Sequence, residues 1–258
     1  MTAHSIEQAL QKPNALVAYL VGNYPNGSQF IDYLVEVSQV ADVVEVGIPF
    51  SDPLADGLTI QRASQIALQQ GANLRQIIDA IREHRNVIAA PIVIMSYLNP
   101  LLAYGIDALA NDARNSGVSG FIVPDLPHEE SSAIETTFTD ASLALIPLIT
   151  PITPIDTIEA LSANATGFIY AVTRTGVTGG HSTLGEDAKH CLSQARKHAR
   201  VPVMAGFGVR DARQVEELSH HADGVIVGSA LLECIDAGDS PASFLNTLKR
   251  PERQGAAQ

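Results

Sequence analysis

Eight short apolar runs, each followed by a polar turn and then a stretch of helical period, constrain the fold of this chain more than any other feature. The runs cover 15–21, 43–46, 91–97, 120–123, 143–149, 167–172, 201–205 and 224–227. They are rich in Val and Ile and barely alternate, the pattern of parallel strands covered on both faces. Between them the period changes. Over 73–85, Leu74, Ile77, Ile78 and Ile81 fall at i, i+3, i+4 and i+7, which predicts a helix with one apolar stripe against a sheet. Thr153-Pro154 reads as an N-cap and first helical residue, and Asp211 with Gln214 as a capping box.

Eight β-then-α units over 258 residues lie about 32 residues apart. That spacing predicts an α/β fold, a (β/α)8 TIM barrel in a single domain, 1–258, with an extra N-terminal helix. Such barrels typically take ~250 residues. A doubly wound sheet is the alternative, but it typically stops at fewer strands. No linker or low-complexity segment interrupts the series, and the tail 250–258 has no core pattern and is expected to fray.

With 46% hydrophobic residues the chain can fill a large core. Its net charge of −12 and lack of any basic run argue against nucleic acid or an anionic membrane as main partner. An anionic substrate must then be held by local groups, because the global field repels it. Two cysteines, Cys191 and Cys234, in helix-like stretches and a polar N-terminus suggest a reducing, cytoplasmic setting. No apolar run approaches the ~20 residues of a membrane span.

In a barrel of this type, chemistry sits where strands end and βα loops begin. The polar residues there are Glu45, Asp56, Tyr97 with Asn99, Asp125, Tyr170, 173–180, 206–208 and Gly228-Ser229. Glu45 is costly to bury in an apolar strand unless paired, solvated or protonated, so it is a candidate acid or base with a raised pKa. It could equally be an ion-pair partner for an arginine such as Arg174. Asp52 and Asp56 follow in a Gly/Pro loop, where Asp52 can cap its own turn. Asp125, between two prolines, reads as a loop-to-loop acceptor. Glycine-rich loops at 206–208, at 228–229 and at 174–180 bring backbone N–H groups and a helix N-terminus to one end, the usual phosphate cradle of this fold.

Other chemistries drop out. Lys12, Lys189, Lys197 and Lys249 all miss the predicted strand ends, against a Schiff base. The histidines lack metal-ligand spacing, and His220-His221 reads as a solvated helix end. No Gly-x-Ser-x-Gly elbow is present. What remains, a carboxylate pair with tyrosines and backbone donors, moves protons. A carbon–carbon cleavage here would need a substrate with its own electron sink.

The stretch Val44 to Gly57, VEVGIPFSDPLADG, with Thr59-Ile60-Gln61, resembles the signature of the tryptophan synthase alpha subunit family. The resemblance extends through Met95-Ser96-Tyr97-Leu98-Asn99-Pro100, Gly120 to Pro127, Gly167 to Tyr170, Arg174 to Gly179, Gly206 to Val209 and Asp223 to Ala230, covering residues 15 to 235. It implies a lyase that cleaves indole-3-glycerol phosphate to indole and glyceraldehyde 3-phosphate in L-tryptophan biosynthesis, by a retro-aldol reaction with indole itself as electron sink. It implies Glu45 as the acid–base residue, Asp56 as acceptor for the indole N1–H, and Tyr170 beside them. Tyr19, Met95, Tyr97, Ile122, Pro124, Ile149, Thr178 and Phe207 are the implied substrate contacts. Gly179, Gly208, Gly228 and Ser229 are the implied phosphate ligands.

The same resemblance implies no metal and no cofactor in this chain. It implies a beta subunit carrying pyridoxal phosphate, joined in an alpha2-beta2 heterotetramer near the Asp52–Asp56 loop and the helix after it. The sequence departs from the family at 21–25, at Leu58, where a proline is frequent, and at Gly180-His181, whose role is open. A sugar-phosphate isomerase barrel would leave the Asp56 loop unexplained. A free-standing lyase, or a barrel kept mainly to activate its partner, remain the other readings.

Overall fold

The computed structural model describes residues 3–54, 56–173, 184–206 and 208–249. In chain order the elements are α1 (Ala3–Leu10), β1 (Ala15–Val21), α2 (Gly27–Ser38), β2 (Val43–Gly47), α3 (Leu58–Gln69), α4 (Leu74–His84), β3 (Ile92–Met95), α5 (Leu98–Tyr104), α6 (Ile106–Ser116), β4 (Val118–Ile122), α7 (Ser132–Asp140), β5 (Ala144–Leu145), β6 (Leu148–Ile149), α8 (Ile155–Asn164), β7 (Ile169–Val172), α9 (Glu186–His198), β8 (Val203–Gly206), α10 (Ala212–Ser219), β9 (Gly224–Val227), α11 (Ser229–Asp236) and α12 (Pro241–Leu248). The tail 250–258, expected to fray, lies outside the described residues.

All strands are parallel and lie in the order β5-β4-β3-β2-β1-β9-β8-β7-β6. The two ends of that order, β5 and β6, are halves of one predicted strand, divided at Ile146-Pro147. The Ile146 N–H donates to Phe121 O at 2.8 Å on the β4 side, and Pro147 O accepts from the Tyr170 N–H at 3.0 Å on the β7 side. One segment therefore laces both edges, and the sheet closes into the expected (β/α)8 barrel. Pro147 has no N–H to donate, so the ladder breaks there.

Helix boundaries follow their caps. Asn73 accepts from the Gln76 N–H and opens α4, whose Leu74, Ile77, Ile78 and Ile81 are buried. Asp211 accepts from the Gln214 N–H at 2.8 Å, but the Gln214 side chain returns to the Arg210 N–H at 2.6 Å, one residue outside a true capping box. At α8 the expectation fails. Pro154, with ψ 144°, holds the cap position, and the Thr153 hydroxyl instead accepts from the Thr150 N–H at 2.9 Å.

Two apolar layers result. One lies between strands and helices; the other fills the barrel with Val17, Val43, Val93, Ile122, Ala144, Phe168, Met204 and Ile226. Helix α1, the extra N-terminal helix, drives Ile6 and Leu10 into this inner layer and packs on β1, β2 and β4. It plugs the N-terminal end, and burying each of those side chains contributes roughly 1.5–3 kcal/mol. No helix among the described residues is long and apolar enough to cross a membrane.

Candidate active site

Strand register decides which side chains meet. Tyr19 stands opposite Glu45, Glu45 opposite Val93, and Met95 opposite Ile122. Partners in register share a face, and Val93 and Ile122 fill the barrel, so Tyr19, Glu45 and Met95 point inward with them. Tyr170 joins from the far side, opposite Leu148 and Met204. Leu148 takes the register position opposite Tyr170, and Ile149, fully buried at the end of β6, pairs with Ala171.

Glu45 is fully buried, and neither carboxyl oxygen has a hydrogen-bond partner among the described residues. Burial, then the nearby charge of Asp56, pushes its pKa up to about 8. It therefore holds a proton at neutral pH. Left ionised and unpaired it would cost several kcal/mol. Arg174, the alternative ion-pair partner, lies outside the described residues.

Asp56 is held at two points. The Tyr97 hydroxyl donates to Asp56 Oδ2 at 3.4 Å while accepting the Leu54 N–H at 2.9 Å, and Gln61 Nε2 donates to the Asp56 carbonyl at 2.8 Å. Burial raises the Asp56 pKa, and the bond from Tyr97 opposes it. Tyr97 itself opens α5 and tilts against Phe50, ring centroids 5.1 Å apart. Asp125 accepts the Leu98 N–H at 2.9 Å, the loop-to-loop role expected of it, and so fixes the start of the helix that carries Tyr97. Asp52 is exposed and accepts from the neighbouring Ser51 hydroxyl at 2.5 Å, within its own turn.

The hydroxyls of Tyr19 and Tyr170 are pushed well above their ordinary value, by burial first and then by the Asp56 and Glu45 carboxylates. Both are neutral donors facing an acid. Two glycines make room for them. A Cβ on Gly47 would overlap the Tyr19 hydroxyl, and one on Gly206 would come within 2.6 Å of Tyr170 Cε1. Sequence reasoning assigned Gly47 no role; its place two residues past Glu45, the next position on the same inward face, is the signal that could have found it.

At the other end, Gly208 has φ +90°, a conformation that favours glycine. Gly228 precedes α11 with no side-chain cap, and its carbonyl takes the Leu231 and Leu232 N–H groups at 2.9 and 3.1 Å. The first N–H groups of α11, at Ser229 and Ala230, thus face outward at the positive end of the helix. Thr173 donates both its N–H and its hydroxyl to Gly206 O, at 3.0 and 2.8 Å, tying the ends of β7 and β8 together. Pro124 is half-buried in the turn after β4. Thr178, Gly179 and Phe207 lie outside the described residues. Among the described residues no cluster of His, Cys, Asp or Glu could hold a metal ion.

The family model of the tryptophan synthase alpha chain matches residues 6–256. This chain belongs to the tryptophan synthase alpha chain family. The alpha chain of Maridesulfovibrio salexigens is 40% identical over 235 residues, covering 91% of this chain and 92% of that one. The alpha chain of Carboxydothermus hydrogenoformans is 41% identical over 231 residues, 89% and 86% of the two chains. Among solved structures, a crystal structure of tryptophan synthase from M. tuberculosis in its aminoacrylate-bound form superposes with a TM-score of 0.84 at 29% identity, covering 95% and 97%. The tryptophan synthase alpha subunit of Campylobacter jejuni gives a TM-score of 0.82 at 30% identity, covering 94% and 98%.

Proposed function

We propose that the chain carries out the alpha reaction of tryptophan synthase, cleaving indole-3-glycerol phosphate to indole and glyceraldehyde 3-phosphate with Glu45 as acid and base. One observation carries this reading: a fully buried carboxyl without a hydrogen-bond partner, on the inward face of the barrel in register with Tyr19, its pKa raised by burial and by Asp56.

The steps balance on these groups. Protonated Glu45 gives its proton to indole C3, and positive charge develops at N1. Asp56 accepts the N1–H and stabilises that charge. Glu45, now a carboxylate, takes the proton of the glycerol hydroxyl next to the ring. The carbonyl forms, the C–C bond breaks, and its electrons neutralise the indolenine. Glu45 ends protonated again. Indole is the electron sink, so the reaction asks for no metal and no cofactor in this chain. Tyr19, Met95, Ile122, Pro124 and Ile149 form the apolar wall for the ring, and Tyr170 stands across the barrel from it.

The phosphate would rest on the N–H groups around Gly208, Gly228 and Ser229. With a net charge of −12, that local positive end is what can hold a dianion. The partner is a pyridoxal-phosphate-bearing beta subunit in an alpha2-beta2 complex, in the cytoplasm. Leu54 and Leu58 support a docking face on the Asp56 loop, with 84% and 74% of their surfaces exposed.

Indole release from indole-3-glycerol phosphate, measured for the wild type and Glu45→Gln with and without a beta subunit, tests the reading. Release that vanishes in the variant and rises with the partner is expected. A wild type that releases no indole in either condition overturns it.

A further inference from the structure

Helix α11 does more than point its N-terminus at the phosphate end. Five residues in, Glu233 accepts Arg210 Nη1 at 2.6 Å and Nη2 at 2.9 Å, a two-pronged pair, and the Thr59 hydroxyl at 3.4 Å. One turn further, Asp236 accepts from Arg62 and from the Tyr24 hydroxyl. These partners come from separate parts of the barrel mouth. Arg210 lies two residues past Gly208. Thr59 and Arg62 lie in the first turns of α3, just after Asp56, and Gln61 between them holds the Asp56 carbonyl. Tyr24 stands in the loop after β1.

As a stabilising device the cluster is weak. The side chains of Glu233 and Arg210 are 41% and 50% exposed, and pairs of that kind contribute ~0–1 kcal/mol. Its geometry matters more than its energy. A two-pronged arginine–carboxylate pair fixes orientation as well as distance. Here it fixes the loop of Gly208 against α11, and through Thr59 it fixes α11 against the helix that Asp56 leads into. The arginine also holds the Glu233 carboxyl below its ordinary range, so the pair stays charged through neutral pH.

We propose that Glu233 is a positioning residue that couples the phosphate end of the site to the Asp56 loop, so that an anion seated at Gly208 and Gly228-Ser229 tightens binding of the indole ring at Asp56. The inference rests on the reaction proposed above. Coupling of this kind is reciprocal: indole at Asp56 tightens the anion by the same factor.

Indole affinity measured by calorimetry, with and without saturating glycerol 3-phosphate, tests it. The wild type is expected to bind indole at least about fivefold tighter with the anion present, the lower end of ordinary site coupling. In Glu233→Ala the ratio falls toward one while the variant still binds both ligands singly. Glu233→Gln, which keeps an oxygen to accept from Arg210 and Thr59, retains more of the ratio than Glu233→Ala, which a general loosening of the fold would not allow. A wild-type ratio of one, an unchanged ratio in Glu233→Ala, or equal ratios in the Gln and Ala variants overturns the coupling. A wild type that releases no indole from indole-3-glycerol phosphate sinks the reaction beneath it instead, so the two failures are distinct.

Discussion

The two ends of the barrel interior are built from the same strands and put to opposite uses. At the N-terminal end, Ile6 and Leu10 of α1 pack on β1, β2 and β4 and join Val17 and Val43 in an apolar plug. At the C-terminal end, one step along the same alternation, Val43 gives way to Glu45 and Val17 to Tyr19. The first end gains free energy by excluding water from carbon. The second spends some of it to hold a carboxyl without a partner and thereby raise its pKa. Stability and chemistry are thus separable along the barrel axis, and substitutions should separate them.

The largest effect belongs to Glu45→Gln. Loss of an acid–base group costs about 100- to 10,000-fold in kcat. The same change should stabilise the fold at alkaline pH. In the wild type the unfolded carboxyl titrates near its ordinary value of 4.5, and burial moves the folded one to about 8. Unfolding between those values releases a proton, so wild-type stability falls as pH rises from about 4.5 to about 8. Thermal melts at pH 5 and pH 9 should show Glu45→Gln losing far less than the wild type across that window. Equal losses would mean that Glu45 is not buried as an acid.

Leu10→Ala is the converse. Emptying the plug should lower stability by ~2–5 kcal/mol in urea unfolding. The kcat of the folded variant should stay within about twofold of wild type. A large kcat loss would show the plug reaching the chemistry and break the separation.

Gly206→Ala falls between the two ends. The new Cβ must displace the Tyr170 ring, a crowding cost of ~1–3 kcal/mol. Activity should fall with it, since the ring has to leave its place beside Glu45. Smallest is Tyr97→Phe, which removes the acceptor for the Leu54 N–H and the donor to Asp56. About 1 kcal/mol, a loss of roughly fivefold in kcat/KM, is expected, with the alkaline limb set by Glu45 unmoved. A shift of that limb would place Tyr97 in direct contact with Glu45.

Much of this architecture is legible in the sequence because it is written locally. The Val/Ile runs give every barrel strand, to within about two residues at each end. A glutamate inside such a run, followed by an Asp/Gly/Pro loop, marks Glu45 and Asp56 because a charge there is otherwise unreasonable. What is not legible depends on side chains far apart in the chain. Tyr97 reaches back 41 residues to Asp56, and Thr59 reaches 174 forward to Glu233. Neither leaves a periodic trace. The division of the fifth strand came from a single proline in an otherwise apolar run, and Thr153 left its predicted cap because its hydroxyl closes a turn with Thr150.

The closure at Ile146-Pro147 makes the cylinder a ribbon fastened at one seam. The β1–β2 pair runs through five residues in register, but this segment gives two residues to each side. Amide protons flanking the seam should therefore exchange with solvent before those of β1 and β2, and any opening of the wall should begin opposite the β1–β2 pair that carries Tyr19 and Glu45. The acid is mounted on the stiff side of the ring, and the slack lies on the far side.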